Sequence, residues 1–388
     1  MISPFIFNDK NLFLERFPLG QVNRSLQAWD AADEYIINYL NSDFDDVKLK
    51  DKSKNILIFN DAFGALSCNL NEHNIYCVND SYISQQGIKL NVEKNEINAD
   101  NITYLTSTDE LPDEIDLVLY KIPKTKSFLI DQLIQINNKY TESTVFIAAD
   151  RAKEIHSSTL KLFEKYLGIT KTSLAVKKAR LVFTQIDNKT QTESPFPTFW
   201  DMPSVQNRDT NFTIVNYSNV YSREKLDIGG RYFIDNLPTI PAGSTVIDLG
   251  CGNGVIGLSI LDQQPDAQVN FYDESFMAMK SAENNIKANF PKLAENCTFN
   301  VNDCLSNVES NSVDFILCNP PFHQQTATTD HIAWQMFKDS YRVLKKGGEL
   351  RIIGNRQLAY HIKLQRLFGN ERLIASNDKF VTTAAIKR

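Results

Sequence analysis

The sequence predicts an α/β protein with two tandem domains, each built on a mostly parallel sheet with helices on both faces. The chain has 388 residues, which is more than one ordinary domain and enough for two of about 190 residues. Short apolar runs alternate with helical patterns along the C-terminal half, as they do in parallel sheets with crossover helices. The N-terminal half repeats the same order of elements at a spacing of about 195 residues, the size of a whole domain.

The C-terminal half begins its regular part with a predicted strand at Thr245–Leu249, a glycine-rich turn and a helix from about Val255. The next strand is predicted at Gln268–Asp273 and is followed by a long helix that ends near Asn289. Later strands are predicted at Cys297–Val301, Val313–Cys318, 349–353 and Phe380–Ile386, and later helices at 332–344 and 357–368.

The N-terminal half reads as a degenerate copy of this pattern. Residues 56–66 correspond to residues 246–256, but of the glycines in that loop Gly64 alone remains. Residues 117–124 stand where residues 316–322 stand later, without the asparagine and the second proline. We therefore predict a duplicated domain whose first copy has lost its chemistry.

The domain boundaries follow from this correspondence and from composition. We predict a degenerate first domain at residues 1–190 and a second domain at residues 210–388. Residues 191–209 are predicted to form a linker, because the stretch is polar and contains three prolines. Asp80 is predicted to end a strand of the first domain as Asp273 does in the second.

Composition limits the class of protein. Hydrophobic residues make up 42% and charged residues 23%, which fits a globular protein, and no apolar run reaches the roughly 20 residues that cross a bilayer. The net charge of −6 disfavours indiscriminate nucleic-acid binding but allows local basic patches. The six cysteines form no Cys-x-x-Cys pair, so neither a metal site nor a disulfide framework is expected. Because the N-terminus shows no signal-peptide pattern, we expect a cytoplasmic protein.

The glycine-rich turn of the second domain contains candidate cofactor-binding residues. Asp248, Gly250, Gly252 and Gly254 follow the first predicted strand, at the edge where parallel sheets bind ligands. Glycines let the backbone approach a ligand closely and bring the next helix N-terminus against it. Asp273 ends the neighbouring strand, where its carboxylate can accept both ribose hydroxyls of an adenosine.

Two other interpretations of this turn are open. Gly252, Gly254 and Gly257 also satisfy the dinucleotide fingerprint of dehydrogenases, and a tight strand-to-helix turn can be purely structural. Asp248 disfavours the dehydrogenase, because a carboxylate faces a pyrophosphate badly but suits the ammonium group of a methionine moiety.

A second motif, CNPPFHQQ at residues 318–325, follows the predicted strand Val313–Cys318. Proline removes a ladder donor and fixes φ, so this motif can be a plain strand stop. It can also hold acceptors rigidly around a reacting group, and its strand shares a sheet edge with the glycine-rich turn. The candidate catalytic residues are Asn319, Pro320, Pro321 and Phe322.

Together the two motifs resemble class I S-adenosylmethionine-dependent methyltransferases. Nearly the whole chain is similar to the bacterial tandem-domain rRNA guanine-N2 methyltransferases, and within them to the large-subunit, 23S rRNA, enzymes. The segments that carry the resemblance are LQAWDAADEY (26–35), NDAFGALSC (60–68), LDIGGR (226–231), DLGCGNGVIGL (248–258) and CNPPFHQQ (318–325). The resemblance implies two Rossmann-like domains, each with a seven-stranded sheet whose last strand is antiparallel. It also implies a catalytic second domain that uses S-adenosylmethionine, with protein-free 23S rRNA as partner, and we expect a monomer.

For the second domain the resemblance implies methylation of an exocyclic base amine. Asn319 Oδ1 and the Pro320 carbonyl would accept the amine hydrogens, and Phe322 would stack on the flipped base. Asn319 would also adjoin the cofactor, and Asp303 would accept from its adenine amine unless it lies in a surface turn. The residues that resemble the segment over the cofactor, with a plain helix start as alternative, are Ser222, Arg223, Asp227, Gly229 and Arg231.

The first domain is implied to be an RNA-binding platform, with solvated surface charges as the alternative. The candidate phosphate contacts are Lys121, Lys124, Lys126, Lys177, Lys178 and Arg180, together with Arg356 of the second domain. His323 is interpreted as a loop histidine, and the helical spacing of Trp334, Phe337 and Tyr341 predicts core packing.

Other functions remain open on the residues alone. A small-subunit (16S) rRNA enzyme fits the same motifs, as do protein glutamine-N5 and adenine-N6 methyltransferases, whose acceptors are also planar amines. A catalytically silent RNA-binding assembly factor is disfavoured because the site residues of the second domain are intact. The duplicated first domain favours the rRNA enzyme.

Overall fold

The computed structural model describes residues 5–7, 10–19, 27–42, 49, 53–187, 192–207, 209–321 and 327–388. The internal contacts of the chain divide it into two compact units, Met1–Phe196 and Pro197–Arg388. Within the described ranges, no helix has both the length and the apolar character needed to cross a membrane.

The first unit contains nine strands and five α-helices in its described part. They are β1 (Phe5–Phe7), β2 (Lys10–Leu12), α1 (Ala31–Ser42), β3 (Asn55–Phe59), α2 (Ala65–Asn69), β4 (Asn74–Asn79), α3 (Tyr82–Lys94), β5 (Ile102–Thr106), β6 (Leu117–Lys121), α4 (Lys126–Lys139), β7 (Val145–Arg151), α5 (Ser157–Tyr166), β8 (Thr170–Thr172) and β9 (Ala179–Thr184).

Seven of these strands form one sheet in the order β5-β4-β3-β6-β7-β9-β8, in which β9 runs antiparallel to both β7 and β8 and the other adjacent strands run parallel. The central strand β3 is buried on both faces. Ile56 and Ile58 belong to one hydrophobic cluster, and Leu57 and Phe59 belong to the cluster on the opposite face. A strand covered on both faces needs a continuous apolar run, which is the pattern that the sequence shows there.

The second unit contains nine strands and five α-helices in its described part. They are β10 (Thr198–Pro203), β11 (Asn211–Asn216), α6 (Ile228–Ile234), β12 (Thr245–Leu249), α7 (Val255–Gln263), β13 (Gln268–Asp273), α8 (Phe276–Asn289), β14 (Cys297–Val301), β15 (Val313–Cys318), α9 (Ala327–Val343), β16 (Leu344–Asn355), α10 (Tyr360–Phe368), β17 (Arg372–Ser376) and β18 (Phe380–Ile386).

The second sheet has the order β14-β13-β12-β15-β16-β18-β17, with β18 antiparallel to both neighbours. It repeats the first sheet strand for strand. The prediction of two tandem, mostly parallel seven-stranded sheets with an antiparallel last strand is confirmed.

The predicted linker is wrong in part. Residues 198–203 form β10, which pairs with β11 as an antiparallel hairpin, so the second unit begins before residue 210. The prolines suggested a linker, but Pro203 is the last residue of β10, where a missing ladder donor is tolerated.

Each unit contains an asparagine with the same role, which the sequence did not reveal. On α8, the Asn285 amide donates to the backbone oxygens of Val215 and Asn253, and its Oδ1 accepts from the Val215 N–H. On α3, the Asn91 amide donates to the backbone oxygens of Glu15 and Phe63 in the same way. In each unit these hydrogen bonds fix the loop that follows the central strand of the sheet.

Candidate active site

Four parallel strands of the second unit end at one edge of the sheet. In the strand register, Leu249 of β12 lies opposite Cys318 of β15 and opposite Tyr272 of β13. Asp273 of β13 lies in turn opposite Val301 of β14. The residues that follow these strands therefore meet along one edge, and they include most of the candidate site residues.

The glycine-rich turn after β12 depends on backbone conformations that side chains disfavour. Gly250, Gly252 and Gly254 have φ values of 70°, 54° and 77°. A Cβ on Gly254 would lie 2.9 Å from Ala282 Cβ, so this glycine permits close packing of α7 against α8. A Cβ on Gly252 would meet no described atom within 4 Å, so this face of the turn is open to a ligand.

Asp248 lies beneath the turn and is 2% exposed. Its Oδ2 accepts a hydrogen bond of 2.8 Å from the backbone N–H of Gly257 at the start of α7. Burial raises the pKa of Asp248 to about 7; the Gly257 hydrogen bond opposes this rise, and the charge of Asp273 adds to it. One oxygen of the carboxylate is engaged with protein backbone, and the contact with a ligand ammonium group stays a prediction.

Asp273 connects the end of β13 to the turn. Its Oδ2 accepts from Gly252 N–H at 2.9 Å, and its Oδ1 accepts from Ser275 N–H at 3.0 Å. A carboxylate offers about four acceptor positions, so the group can hold the turn and still accept from a ligand hydroxyl.

Asp303 follows β14 and is 5% exposed, so the surface-turn alternative for this residue is wrong. Its Oδ1 accepts a hydrogen bond of 2.9 Å from Gln335 Nε2 on α9. Burial raises the pKa of Asp303, while the Gln335 hydrogen bond opposes that rise.

Asn319 follows β15 with a free acceptor. Its Oδ1 is buried and receives no hydrogen bond from any residue that the structure describes. The Asn319 backbone oxygen would lie 3.9 Å from a Cβ on Gly250, which places the two loops side by side. A buried acceptor without a donor costs about 1–3 kcal/mol, so a hydrogen bond from a ligand bound at this edge would be stabilising.

The remaining motif residues have different surroundings. Pro320 is buried and Pro321 is exposed. Phe322 and His323 lie outside the described residues.

The predicted cofactor-covering segment forms a helix start. Asp227 caps α6, and its Oδ2 accepts from Gly229 N–H at 2.9 Å and from Gly230 N–H at 3.1 Å. Ser222 has a left-handed φ of 57°, and Arg231 is exposed. Arg223 pairs with the adjacent Glu224 at 2.7 Å. The geometry fits the plain helix start as well as a segment over a cofactor.

The aromatic triplet on α9 packs largely as predicted. Phe337 is fully buried, and its ring lies 5.2 Å from the ring of Tyr360. Tyr341 is half-buried and meets Phe368 at 5.0 Å, and Trp334 is half-buried too.

The equivalent edge of the first unit is filled by its own side chains. Phe59 lies opposite Tyr120 as Leu249 lies opposite Cys318, so Asn60 takes the position of Gly250 and Lys121 that of Asn319. Asn60 adopts a φ of 61°, and its Nδ2 donates to the Lys121 backbone oxygen at 2.9 Å. The asparagine side chain thus bonds the two loops of the first unit to each other, which Gly250 has no side chain to do in the second unit.

Lys121 is buried rather than available to RNA. Its ammonium group donates to Asp30 at 2.8 Å and to Asp33 at 2.6 Å, and its side chain is 13% exposed. Burial alone would lower the pKa of Lys121, but the charges of Asp33 and Asp30 raise it. The prediction that Lys121 contacts phosphate is wrong, because this charge is already neutralised inside the first unit.

The counterpart of Asp273 also differs from the prediction. Asn79, the last residue of β4, occupies the position of Asp273, since Val78 lies opposite Phe59 as Tyr272 lies opposite Leu249. Asp80 lies one residue further and accepts from Ser107. The first unit therefore has no carboxylate at the position that would receive ribose hydroxyls.

The other predicted phosphate contacts lie largely at the surface. Lys124, Lys126 and Lys178 are exposed. Lys177 and Arg356 are also exposed, but each already has a partner. Lys177 pairs with Glu34 at 2.8 Å, and Arg356 donates to the Asn377 backbone oxygen at 2.9 Å. Arg180 is half-buried.

Comparison with known proteins agrees with the division of the chain into two different units. The chain matches the family model of the RLMG N-terminal domain over residues 3–188 and that of the methyltransferase small domain over residues 211–384. It is 64% identical to the ribosomal RNA large subunit methyltransferase G of Colwellia psychrerythraea, over 100% of both chains. The chain belongs to the ribosomal RNA large subunit methyltransferase G family. The resemblance predicted from the motifs is thereby confirmed.

Further relatives and one solved structure extend the comparison. The large subunit methyltransferase G of Pseudoalteromonas translucida is 49% identical over 98% of this chain and 97% of its own. Among solved structures, the T. thermophilus 16S rRNA N2 G1207 methyltransferase (RsmC), in complex with AdoMet and guanosine, superposes with a TM-score of 0.76. The match covers 100% of this chain and 98% of the solved chain, at 16% identity. A likeness at this identity establishes a common fold and no more.

Proposed function

We propose that this protein transfers a methyl group from S-adenosylmethionine to the exocyclic N2 amine of a guanine in 23S rRNA. The observation that carries the proposal is the buried Oδ1 of Asn319 beside the glycine-rich turn, which has no partner among the residues that the structure describes. Membership of the large subunit methyltransferase G family supports the choice of rRNA.

The residues at the sheet edge fit this cofactor. The open face at Gly252 leaves room for a ligand close to the backbone, and the Asp273 carboxylate lies directly beside this turn, where it can accept from ribose hydroxyls. Asp303 is buried nearby as an acceptor for an adenine amine, while Gly250 and Gly254 keep the turn in shape. S-adenosylmethionine supplies an electrophilic methyl group attached to a sulfonium.

Asn319 activates the base amine that receives the methyl group. The nitrogen of an exocyclic base amine is delocalised into the ring, so its lone pair is a poor nucleophile. Asn319 Oδ1 and the Pro320 backbone oxygen accept the two amine hydrogens and favour the pyramidal nitrogen. The prolines fix that carbonyl without further bonds, and holding the amine near attack distance supplies most of the catalysis. An asparagine is no base, so the proton leaves to water after transfer.

A guanine inside a stem must leave its stack to reach this edge. Phe322 is placed by the sequence directly behind Pro321, and we assign it the stacking role, worth about 1–3 kcal/mol for base–aromatic contacts. The flipped base then lies between this ring and the amide of Asn319.

The first unit serves RNA binding rather than a second reaction. Asn60 and Lys121 fill its sheet edge, so we assign one cofactor site to each chain. Lys124, Lys126 and Lys178 are the exposed cations that we assign to phosphate contacts. We further propose a monomeric, cytoplasmic enzyme that needs no metal and acts on 23S rRNA before ribosomal proteins bind.

Labelled methyl transfer tests the proposal. Purified protein and tritiated S-adenosylmethionine are incubated with protein-free 23S rRNA, protein-free 16S rRNA and assembled subunits, and the products are digested to nucleosides. The expected product is N2-methylguanosine from protein-free 23S rRNA. Label in 16S rRNA would indicate a small-subunit enzyme, label in N6-methyladenosine or in protein would indicate another planar amine, and no label would indicate an assembly factor.

A further inference from the structure

A second amide oxygen without a donor lies near Asn319. Asn355 ends β16, and its Oδ1 is buried and receives no hydrogen bond within the described residues. Its backbone is paired with Phe380 of β18, so the residue is held in the sheet while its side-chain oxygen stays unsatisfied. Two such acceptors at the ends of neighbouring strands indicate one ligand with two donors.

The strand register places both asparagines on one face of the sheet. Cys318 lies opposite Ile352 in the parallel pair β15–β16, so Asn319 continues to the level of Ile353. Asn355 lies two residues beyond Ile353 and therefore on the same face, because side chains alternate along a strand. Ile353 packs in the same hydrophobic cluster as Cys251 of the glycine-rich turn.

The spacing suits a single base. Neighbouring strands are about 4.8 Å apart and residues rise about 3.3 Å, so the two Cα atoms are about 8 Å apart. Two asparagine side chains that lean towards each other across this distance can reach adjacent donors on one ring. Guanine carries such donors, N1–H beside the N2 amine, whereas adenine has an acceptor at N1.

The first unit supports this assignment by contrast. Arg151 lies opposite Ala179 as Asn355 lies opposite Phe380, so Arg151 takes the position of Asn355. Lys121 takes that of Asn319. The first unit thus has two cationic side chains at the positions where the second unit has two amide oxygens. Cationic side chains donate hydrogen bonds and cannot accept them.

We propose that Asn355 is a specificity-determining residue, whose Oδ1 accepts the N1–H of the target guanine while Asn319 Oδ1 accepts from its N2 amine. The assignment rests on the proposed function. It explains how a site that binds a planar amine distinguishes guanine from adenine. Adenine N1 carries no hydrogen, so two hydrogen-bond acceptors, adenine N1 and Asn355 Oδ1, would face each other.

The test removes the two partners of this hydrogen bond separately. A 23S rRNA fragment is prepared with the modified position occupied by guanine or by 2-aminopurine, which keeps the N2 amine but has no hydrogen on N1. The wild-type protein is expected to prefer guanine by about 10- to 100-fold in kcat/KM. In Asn355→Ala the guanine reaction should fall by a similar factor and the 2-aminopurine reaction should stay within about 3-fold, so the preference disappears.

Two measurements separate recognition from structure. The melting temperature of the free Asn355→Ala protein should equal or exceed that of wild type, because no hydrogen bond is lost. Its affinity for the guanine fragment, measured with S-adenosylhomocysteine present, should fall while that for the 2-aminopurine fragment does not. The matched control is Gln357→Ala, an exposed amide two residues away, which should keep the wild-type preference.

Several results would overturn the assignment. A guanine preference unchanged in Asn355→Ala would refute it, as would equal losses for both bases together with a lower melting temperature. If wild-type protein methylates no guanine at all, the proposed function itself fails and the role of Asn355 with it.

Discussion

Replacing Asn319 by alanine removes a buried acceptor that makes no hydrogen bond within the described part of the chain. The described free protein loses no hydrogen bond of that oxygen and is relieved of its desolvation cost, so the free energy of unfolding should not fall and can rise by about 1–3 kcal/mol. During methyl transfer the amine nitrogen becomes positive and its hydrogens donate more strongly. A hydrogen bond to a charged group contributes about 1.5–3 kcal/mol, so kcat should fall by about 10- to 150-fold, and further if the amine loses its alignment.

The assay combines three measurements on wild type, Asn319→Ala and Asn319→Asp. Single-turnover transfer of labelled methyl gives the chemical rate, calorimetry with S-adenosylhomocysteine gives cofactor affinity, and thermal denaturation gives stability. Cofactor affinity should change far less than the rate. The aspartate keeps an acceptor and should retain more activity than the alanine. Asn300→Ala, which removes a half-buried amide from β14, is the control and should transfer at the wild-type rate.

The result that would refute this reasoning is a loss of activity that follows a loss of stability. If Asn319→Ala melts several degrees lower and its rate falls only in proportion to the folded fraction, the Asn-Pro-Pro turn is a strand stop. A full wild-type rate in Asn319→Ala would equally exclude the amide from the reaction.

Four further predictions concern the two sheets and the glycine-rich turn. Lys121→Met should destabilise the first unit by about 3–5 kcal/mol in urea denaturation, because the buried Asp33 and the half-buried Asp30 lose their counter-ion; an unchanged midpoint would contradict the importance of these two ion pairs. The contribution of Asp248 to stability should fall by up to about 4 kcal/mol as pH rises from about 4 to 7, since burial raises the pKa of Asp248 to about 7, so wild type should lose stability relative to Asp248→Asn over this range in urea denaturation. Gly252→Ala should weaken S-adenosylmethionine binding at least 10-fold in calorimetry, with a stability cost of about 1–2 kcal/mol for its positive φ. Gly254→Ala should cost more stability than Gly252→Ala in the same denaturation, because its Cβ meets Ala282.

Much of the fold could be predicted from the sequence because its central strands are short, largely apolar runs. Thr245–Leu249 and Val313–Cys318 carry this pattern, and the structure gives them the same bounds. The edge strand β17 carries no such signal, since Arg372–Ser376 is largely exposed and its side chains need no apolar alternation. β10 was hidden by the prolines around it.

The site could be predicted where a residue type is demanded by local chemistry, and could not where partners are distant in sequence. Glycines with positive φ and an asparagine before two prolines are visible in the sequence. The burial of Lys121 is not, because Asp30 and Asp33 reach it from the N-terminal end of α1, far away in sequence. A cluster of lysines looks the same in sequence whether it faces solvent or carboxylates.

The central claim is most directly tested on the rRNA of living cells. A strain that lacks this protein is supplied with the wild-type chain or with Asn319→Ala, and its 23S and 16S rRNA are mapped by mass spectrometry of nuclease fragments. The account predicts one additional methyl group on a guanine of 23S rRNA, identified as N2-methylguanosine, in the wild-type sample alone. A methyl group that appears in 16S rRNA, on an adenine, or equally with Asn319→Ala would contradict it.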